Sequence, residues 1–152
     1  MDEITLSSPE FADGGPIPAA HSHEAGDLSP ALRWSGVPPE TVELMLTCED
    51  PDAPGGTFVH WMLAGIPRDR DGLAEGEAGE RPRIARGRNG FGDLGYGGPQ
   101  PPAGDDPHRY VFTLYALRPQ SGLTSGFSPE DMRAAVRGKV ITSGSLTGTY
   151  AR

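Results

Sequence analysis

Apolar residues fall into three dense blocks separated by turn-forming sequence. Residues 42–49, VELMLTCE, alternate strictly: Val42, Leu44, Leu46 and Cys48 face one way, Glu43, Met45, Thr47 and Glu49 the other. That period of two predicts a strand. Residues 58–66, FVHWMLAGI, and 109–117, RYVFTLYAL, carry apolar residues on both faces, which predicts strands covered on both sides, with 58–66 central. Between the first two lies DPDAPGG, with two prolines and two glycines, a turn by composition.

The remaining segments are shorter or broken. Up to about Gly36 the chain is interrupted by Pro9, Pro16, Pro18 and Pro30 and reads as short strands and turns. Residues 67–107 are nearly strandless, and a loop that long inside a compact domain is usually functional or disordered. In SPEDMRAAVRG, Ser128 is placed as an N-cap, Pro129 as the first helical residue, Asp131 three residues after the cap, and Gly138 as the stop. These predict one short helix over about 129–137. VITSGSLTGTY closes the chain as a strand or two. The pattern as a whole is that of a mainly all-β domain spanning residues 1–152.

Composition narrows the class. With 22 glycines and 16 prolines among 152 residues the chain is turn-rich, yet the dense apolar blocks argue against disorder. A chain this long buries enough surface to fold without a disulfide or metal. Its lone cysteine, Cys48, excludes both an internal disulfide and cysteine-rich zinc motifs. No apolar stretch approaches the ~20 residues of a membrane helix, so no integral membrane association is expected. The acidic start MDEITLSSPEF lacks the pattern of a secretory signal, which predicts a cytoplasmic location. Residues 1–66 carry 11 acidic side chains against one basic, Arg33, in a chain of net charge −8. Such an acidic half repels phosphate backbones, so nucleic-acid binding is not expected.

Candidate chemistry centres on histidines. His21 and His23, in a polar segment, read as solvated loop residues, although an H-x-H-E cluster can touch a metal. Cys48 lies on the apolar face of its strand and reads as a small buried hydrophobe. His60 and His108 sit near the starts of apolar strands, where an imidazole must find partners. Alternation groups His60 with Phe58, Met62 and Ala64, and His108 with Tyr110, Phe112 and Leu114, while Arg109 turns away. If strands 42–49 and 58–66 pair antiparallel, Asp50 and His60 meet at one end of the sheet. His108 joins them only if its strand starts at that end, running parallel to 58–66 or flanking 42–49 on its far side. The outcome is either a polar cavity rimmed by Pro99, Pro101 and Pro102, or two core histidines satisfied separately. The glycines of GRNGFGDLGYGGP lack the strand, helix and lysine that a nucleotide cradle needs, and no cofactor or metal motif is present.

The blocks DPDAPGGTFVHWMLAGIP (50–67) and GYGGPQPPAGDDPHRYVFTLYAL (95–117) resemble the two signature blocks of the phosphatidylethanolamine-binding protein family, also called Raf-kinase-inhibitor-like. GDLSPALRWSGVP (26–38) is similar to a third family segment, and LTGTYAR to the ending of its bacterial branch. The resemblance implies an antiparallel two-sheet β fold with a small ligand pocket at one end of the large sheet. It places Asp50, His60, Pro101, His108 and Tyr110 in that pocket, with Pro102 on its rim and Tyr96 close by. It implies a phosphate-like anion or phosphoethanolamine headgroup as the ligand, and kinase or protease regulation in eukaryotic relatives. Ala31 replaces the family's usual second proline and Glu49 stands where Asp is frequent. The chain stops before the C-terminal helix of eukaryotic forms, which predicts a more open pocket mouth.

The residues themselves suit a headgroup site. His60, His108 and Tyr110 offer donors to a phosphate, Asp50 an acceptor to an ammonium, and a carboxylate can hold an imidazole charged. Three functions follow: a module binding small anions or phosphorylated headgroups, a regulator docking a kinase or protease through the pocket rim and the 67–95 loop, or an acid–base enzyme using Asp50 with His60 or His108. The absence of an obvious nucleophile weighs against the third. Exposed sheet edges make a homodimer plausible.

Overall fold

The computed structural model describes residues 4–77 and 84–152, so part of the 67–107 loop lies outside the described residues. The chain runs through β1 (Thr5–Ser7), a 3-10 turn (Ala19–His21), β2 (Leu32–Ser35), β3 (Glu43–Asp50) and β4 (Phe58–Ile66). It continues through β5 (Gly72–Leu73), β6 (Ala85–Arg86), β7 (His108–Leu117), α1 (Pro129–Val136) and β8 (Val140–Tyr150). Two antiparallel sheets result, β1-β2-β5 and β6-β4-β3-β7-β8. The closing segment is one strand of 11 residues.

The alternation in 42–49 separates two apolar clusters. Leu44, Leu46 and Cys48 join Trp61, Leu63, Phe112 and Leu114 against the small sheet's Leu6, Leu32, Trp34 and Leu73. On the opposite face, Met45 packs with Val59, Met62, Phe127 and Met132, the last from α1. The large sheet is thus covered by the small sheet on one side and by α1 with its preceding loop on the other. Val42 precedes β3 and is exposed. The centre of the sheet is β3; β4 lies one place out, bordered by the two-residue β6, and is covered on both faces as expected. The helix starts as its sequence dictates, with Ser128 and Asp131 exchanging hydrogen bonds in a capping box.

One expectation fails inside β4. His60 shares a face with Phe58, whose ring centroid is 4.7 Å away, but Met62 and Ala64 lie on the other face. Cys48 pairs with Trp61 while the next residue, Glu49, pairs with Val59, so β4 accommodates an extra residue at His60. A β-bulge breaks alternation at that point. A second register shift between Leu44 and Leu46 again gives β4 one more residue than β3.

Candidate functional site

Strand order decides whether the polar residues meet. Asp50 ends β3, and β4 returns antiparallel beside it. On the far side of β3, β7 also runs antiparallel and opens with His108. The starts of β4 and β7 and the end of β3 therefore share one end of the large sheet, the second of the two arrangements open to the sequence. A cavity of about 180 Å³ lies there, lined by Asp50, His60, Pro101, Pro102, His108 and Tyr110. Pockets for drug-sized ligands run to roughly 300–1,000 Å³, so this one suits a smaller guest.

His108 is the electrostatic centre. Its Nδ1 lies 2.7 Å from Asp50 Oδ2, and its Nε2 lies 3.1 Å from Asp105 Oδ2. A carboxylate on each ring nitrogen favours the imidazolium, which can donate from both. Burial alone would lower its pKa, but the hydrogen bonds to Asp50 and Asp105 outweigh burial and raise it. His60 goes the other way. Its Nδ1 donates to the Gly97 carbonyl at 2.7 Å, and burial lowers its pKa against that bond's opposing effect. A neutral His60 with Nδ1 protonated leaves Nε2 as an acceptor. Tyr110 supplies a third type of group. Its hydroxyl is buried with no hydrogen-bond partner among the described residues, and burial raises its pKa so that it stays protonated.

Aromatic rings sort these groups. His60 makes edge contacts with Tyr110 at 5.2 Å and Phe91 at 5.8 Å, and Phe58 meets Phe91 at 4.9 Å. Phe58 and Phe91 form apolar walls that the sequence reading did not assign to the cavity. Phe58 was legible on the face of His60; Phe91 lies among glycines with no periodic signal. Arg109 turns outward as expected and clasps Asp52, whose carboxyl its hydrogen bonds hold down at about 2.

Tyr96 and Pro99 stand outside the lining. The Tyr96 ring is buried against Trp61, and its hydroxyl donates to the His21 carbonyl at 2.7 Å. The Pro99 carbonyl accepts from the His23 N–H. Both residues seat the segment that carries Pro101 and Pro102. Gly97 and Gly98 explain the density of glycine there: a Cβ on Gly97 would collide with the Phe91 ring, and one on Gly98 with the His21 carbonyl. Asp27, held at φ 62°, accepts from Gly98 N at 2.8 Å and lies 2.8 Å from His23 Nδ1.

Of the two N-terminal histidines, His21 is not a solvated loop residue, while His23 sits in a turn with its side chain 31% exposed. His21 is only 1% exposed and is held within the 3-10 turn. The His23 ring stacks on Phe91 at 4.2 Å, nearly parallel. Backbone hydrogen bonds to Tyr96 and Pro99 tie this segment to residues 96–102, which the local polarity of 19–27 does not reveal. Cys48 is buried as expected, and burial raises its pKa, leaving an inert thiol.

Known proteins match this arrangement over nearly all of the chain. The chain is 42% identical over 152 residues to a UPF0098 protein of Methanothermobacter thermautotrophicus, covering 98% of this chain and 99% of that one. It is 37% identical to a lipoprotein of Mycobacterium tuberculosis named LppC, covering 98% of this chain and 73% of the relative. No helix among the described residues is long and apolar enough to cross a membrane, and the cytoplasmic expectation rests on the sequence alone. Among solved structures, Escherichia coli YbcL, described as a member of the mammalian PEBP family, superposes with a TM-score of 0.92 at 31% identity, over 99% of each chain. A phosphatidylethanolamine-binding protein homologue from Chlamydia trachomatis gives 0.90 at 34% identity, over 100% of this chain and 99% of its own. The family model described as phosphatidylethanolamine-binding protein matches residues 7–151, and the chain belongs to that family.

Proposed function

We propose that the chain binds a small phosphorylated anion, of the phosphate or phosphoethanolamine kind, in the cavity at the end of the large sheet. The observation that carries this reading is the pairing of a buried histidine braced by two carboxylates with a buried hydroxyl that has no partner among the described residues, on one small cavity. An unsatisfied Tyr110 hydroxyl costs about 1–3 kcal/mol, and a phosphate oxygen could remove that cost. His108 Nε2–H is the second donor, reached once the half-exposed Asp105 side chain swings away. Asp50 keeps Nδ1 occupied and so fixes the ring's orientation. The neutral His60 Nε2 can accept from a protonated phosphate oxygen or an ammonium, and Phe58 and Phe91 exclude water beside it.

Thermal unfolding in inorganic phosphate and in O-phosphoethanolamine tests this. Millimolar probe should raise the melting temperature of the protein, since a ligand bound only by the folded state stabilises it. Tyr110→Phe preserves the ring and should lose most of the gain; His108→Ala should lose all of it. Melting that does not move in either probe overturns the proposal, as does a gain retained in both variants.

A further inference from the structure

His21 is the most buried charged-type side chain outside the cavity, and its surroundings are unusual. Its Nδ1 lies 2.8 Å from the Leu28 carbonyl. A carbonyl can only accept, so Nδ1 carries the proton and the free lone pair of a neutral ring sits on Nε2. That nitrogen has no hydrogen bond among the described residues. It faces two carboxylates, Glu10 Oε1 at 3.8 Å and Glu75 Oε2 at 3.7 Å.

Three acceptors pointed at one spot repel one another unless something positive lies between them. Neither carboxylate closes to hydrogen-bond distance on Nε2, and the two stand almost equally far off. No lysine or arginine forms an ion pair with Glu10 or Glu75 among the described residues. The three ligand atoms lie within 4.8 Å of one another.

We infer that Glu10, His21 and Glu75 form a binding site for a divalent transition-metal ion of the zinc class, separate from the anion cavity. Imidazole with two carboxylates is a ligand set such ions accept. Bonds of about 2.0–2.2 Å at tetrahedral angles place ligand atoms about 3.4 Å apart. The observed 3.7 and 3.8 Å separations from His21 Nε2 need close by only a few tenths of an ångström, while the two carboxylate oxygens, within 4.8 Å of each other, draw together by side-chain rotation. Glu75 is 45% exposed and Glu10 27%, so both side chains have that freedom, and water reaching their exposed sides can complete the ligand set. The Nδ1 contact to a backbone carbonyl is the outer-shell bond that metal-binding histidines usually make. The backbone holds the three ligands in register: Glu10 N donates to Ser8 Oγ, and Gly76 N, beside Glu75, donates to the carbonyl of Ser29, next to Leu28. A bound ion would tie the loop after β1, the 3-10 turn and the turn after β5 together.

The test is calorimetric titration of the chelator-treated, full chain with zinc chloride, in a buffer free of phosphate. One equivalent should bind per chain, and zinc should raise the melting temperature. Glu75→Gln should weaken binding about tenfold or more, and Glu10→Gln with Glu75→Gln together should abolish it. Both glutamates are partly exposed, so these variants keep the fold and their melting without zinc reports this. Absence of binding in the native chain overturns the inference, because His21 is then satisfied without a metal. Undiminished binding in the double variant also overturns it, by locating the ion elsewhere, such as at His108 with Asp50 and Asp105. Because neither glutamate lines the cavity, phosphate-induced stabilisation is expected to survive the double variant.

Discussion

At the scale of single residues, the cavity's chemistry turns on which atom occupies His108 Nε2–H. Asp105 Oδ2 takes it in the ligand-free chain, so a carboxylate stands where a phosphate oxygen would bind. Its side chain is 43% exposed and belongs to a turn, so moving it away disturbs little. Asp105 therefore competes with an incoming anion twice, by holding the donor and by repelling like charge. Asp105→Asn removes the charge and keeps the shape. A unit charge a few ångströms from an anion near a protein surface is worth roughly 1–4 kcal/mol, so affinity for O-phosphoethanolamine should rise about tenfold, measured by calorimetry below neutral pH. An unchanged or weaker affinity would mean that Asp105 positions His108 rather than competing for it.

At the scale of elements, the strands were readable and their irregularities were not. Alternation in 42–49 and 109–117 gave the correct faces because both strands pair in unbroken register with each other. The same rule misplaced Met62 and Ala64 relative to His60, because a bulge adds a residue without any compositional mark. The capping box of α1 was legible since its partners are three residues apart. The burial of His21, the stacking of His23 and the place of Tyr96 were not, because the contacts that fix them reach far along the chain: Tyr96 O–H meets His21 across 75 residues, and His23 stacks on Phe91. That seam between the 3-10 turn and residues 96–102 bears the cavity rim, and Gly98 is its tightest point. A Cβ there meets the backbone of Ser22 and His23 at 2.6 and 2.7 Å, where no flexible side chain can yield. Gly98→Ala should cost about 1–3 kcal/mol, as overpacking typically does, measured by urea unfolding. It should also weaken phosphate binding, whereas Gly55→Ala, with open space around its Cβ position, should do neither.

At the scale of the whole molecule, two histidines on one cavity respond to pH in opposite senses. The unfolded chain titrates both near 6.5. The raised pKa of His108 makes its contribution to stability fully present below about 6.5, and that contribution is lost as pH rises through the folded value. The lowered pKa of His60 makes its contribution present above about 6.5, lost as pH falls toward the folded value. Anion binding adds a third titration, because a phosphate monoester gains its second charge near pH 6. Affinity for O-phosphoethanolamine should therefore climb as the dianion forms, then fall once His108 surrenders its proton, a bell with its descending limb set by His108. Calorimetry from about pH 5.5 to pH 9, on a chain of net charge −8 whose general repulsion of anions only increases with pH, resolves both limbs. His108→Gln keeps a side-chain donor but cannot titrate, so its descending limb should flatten toward the gentle slope of that background repulsion. If the native chain and His108→Gln lose affinity in parallel at high pH, the imidazolium is not the group that holds the anion.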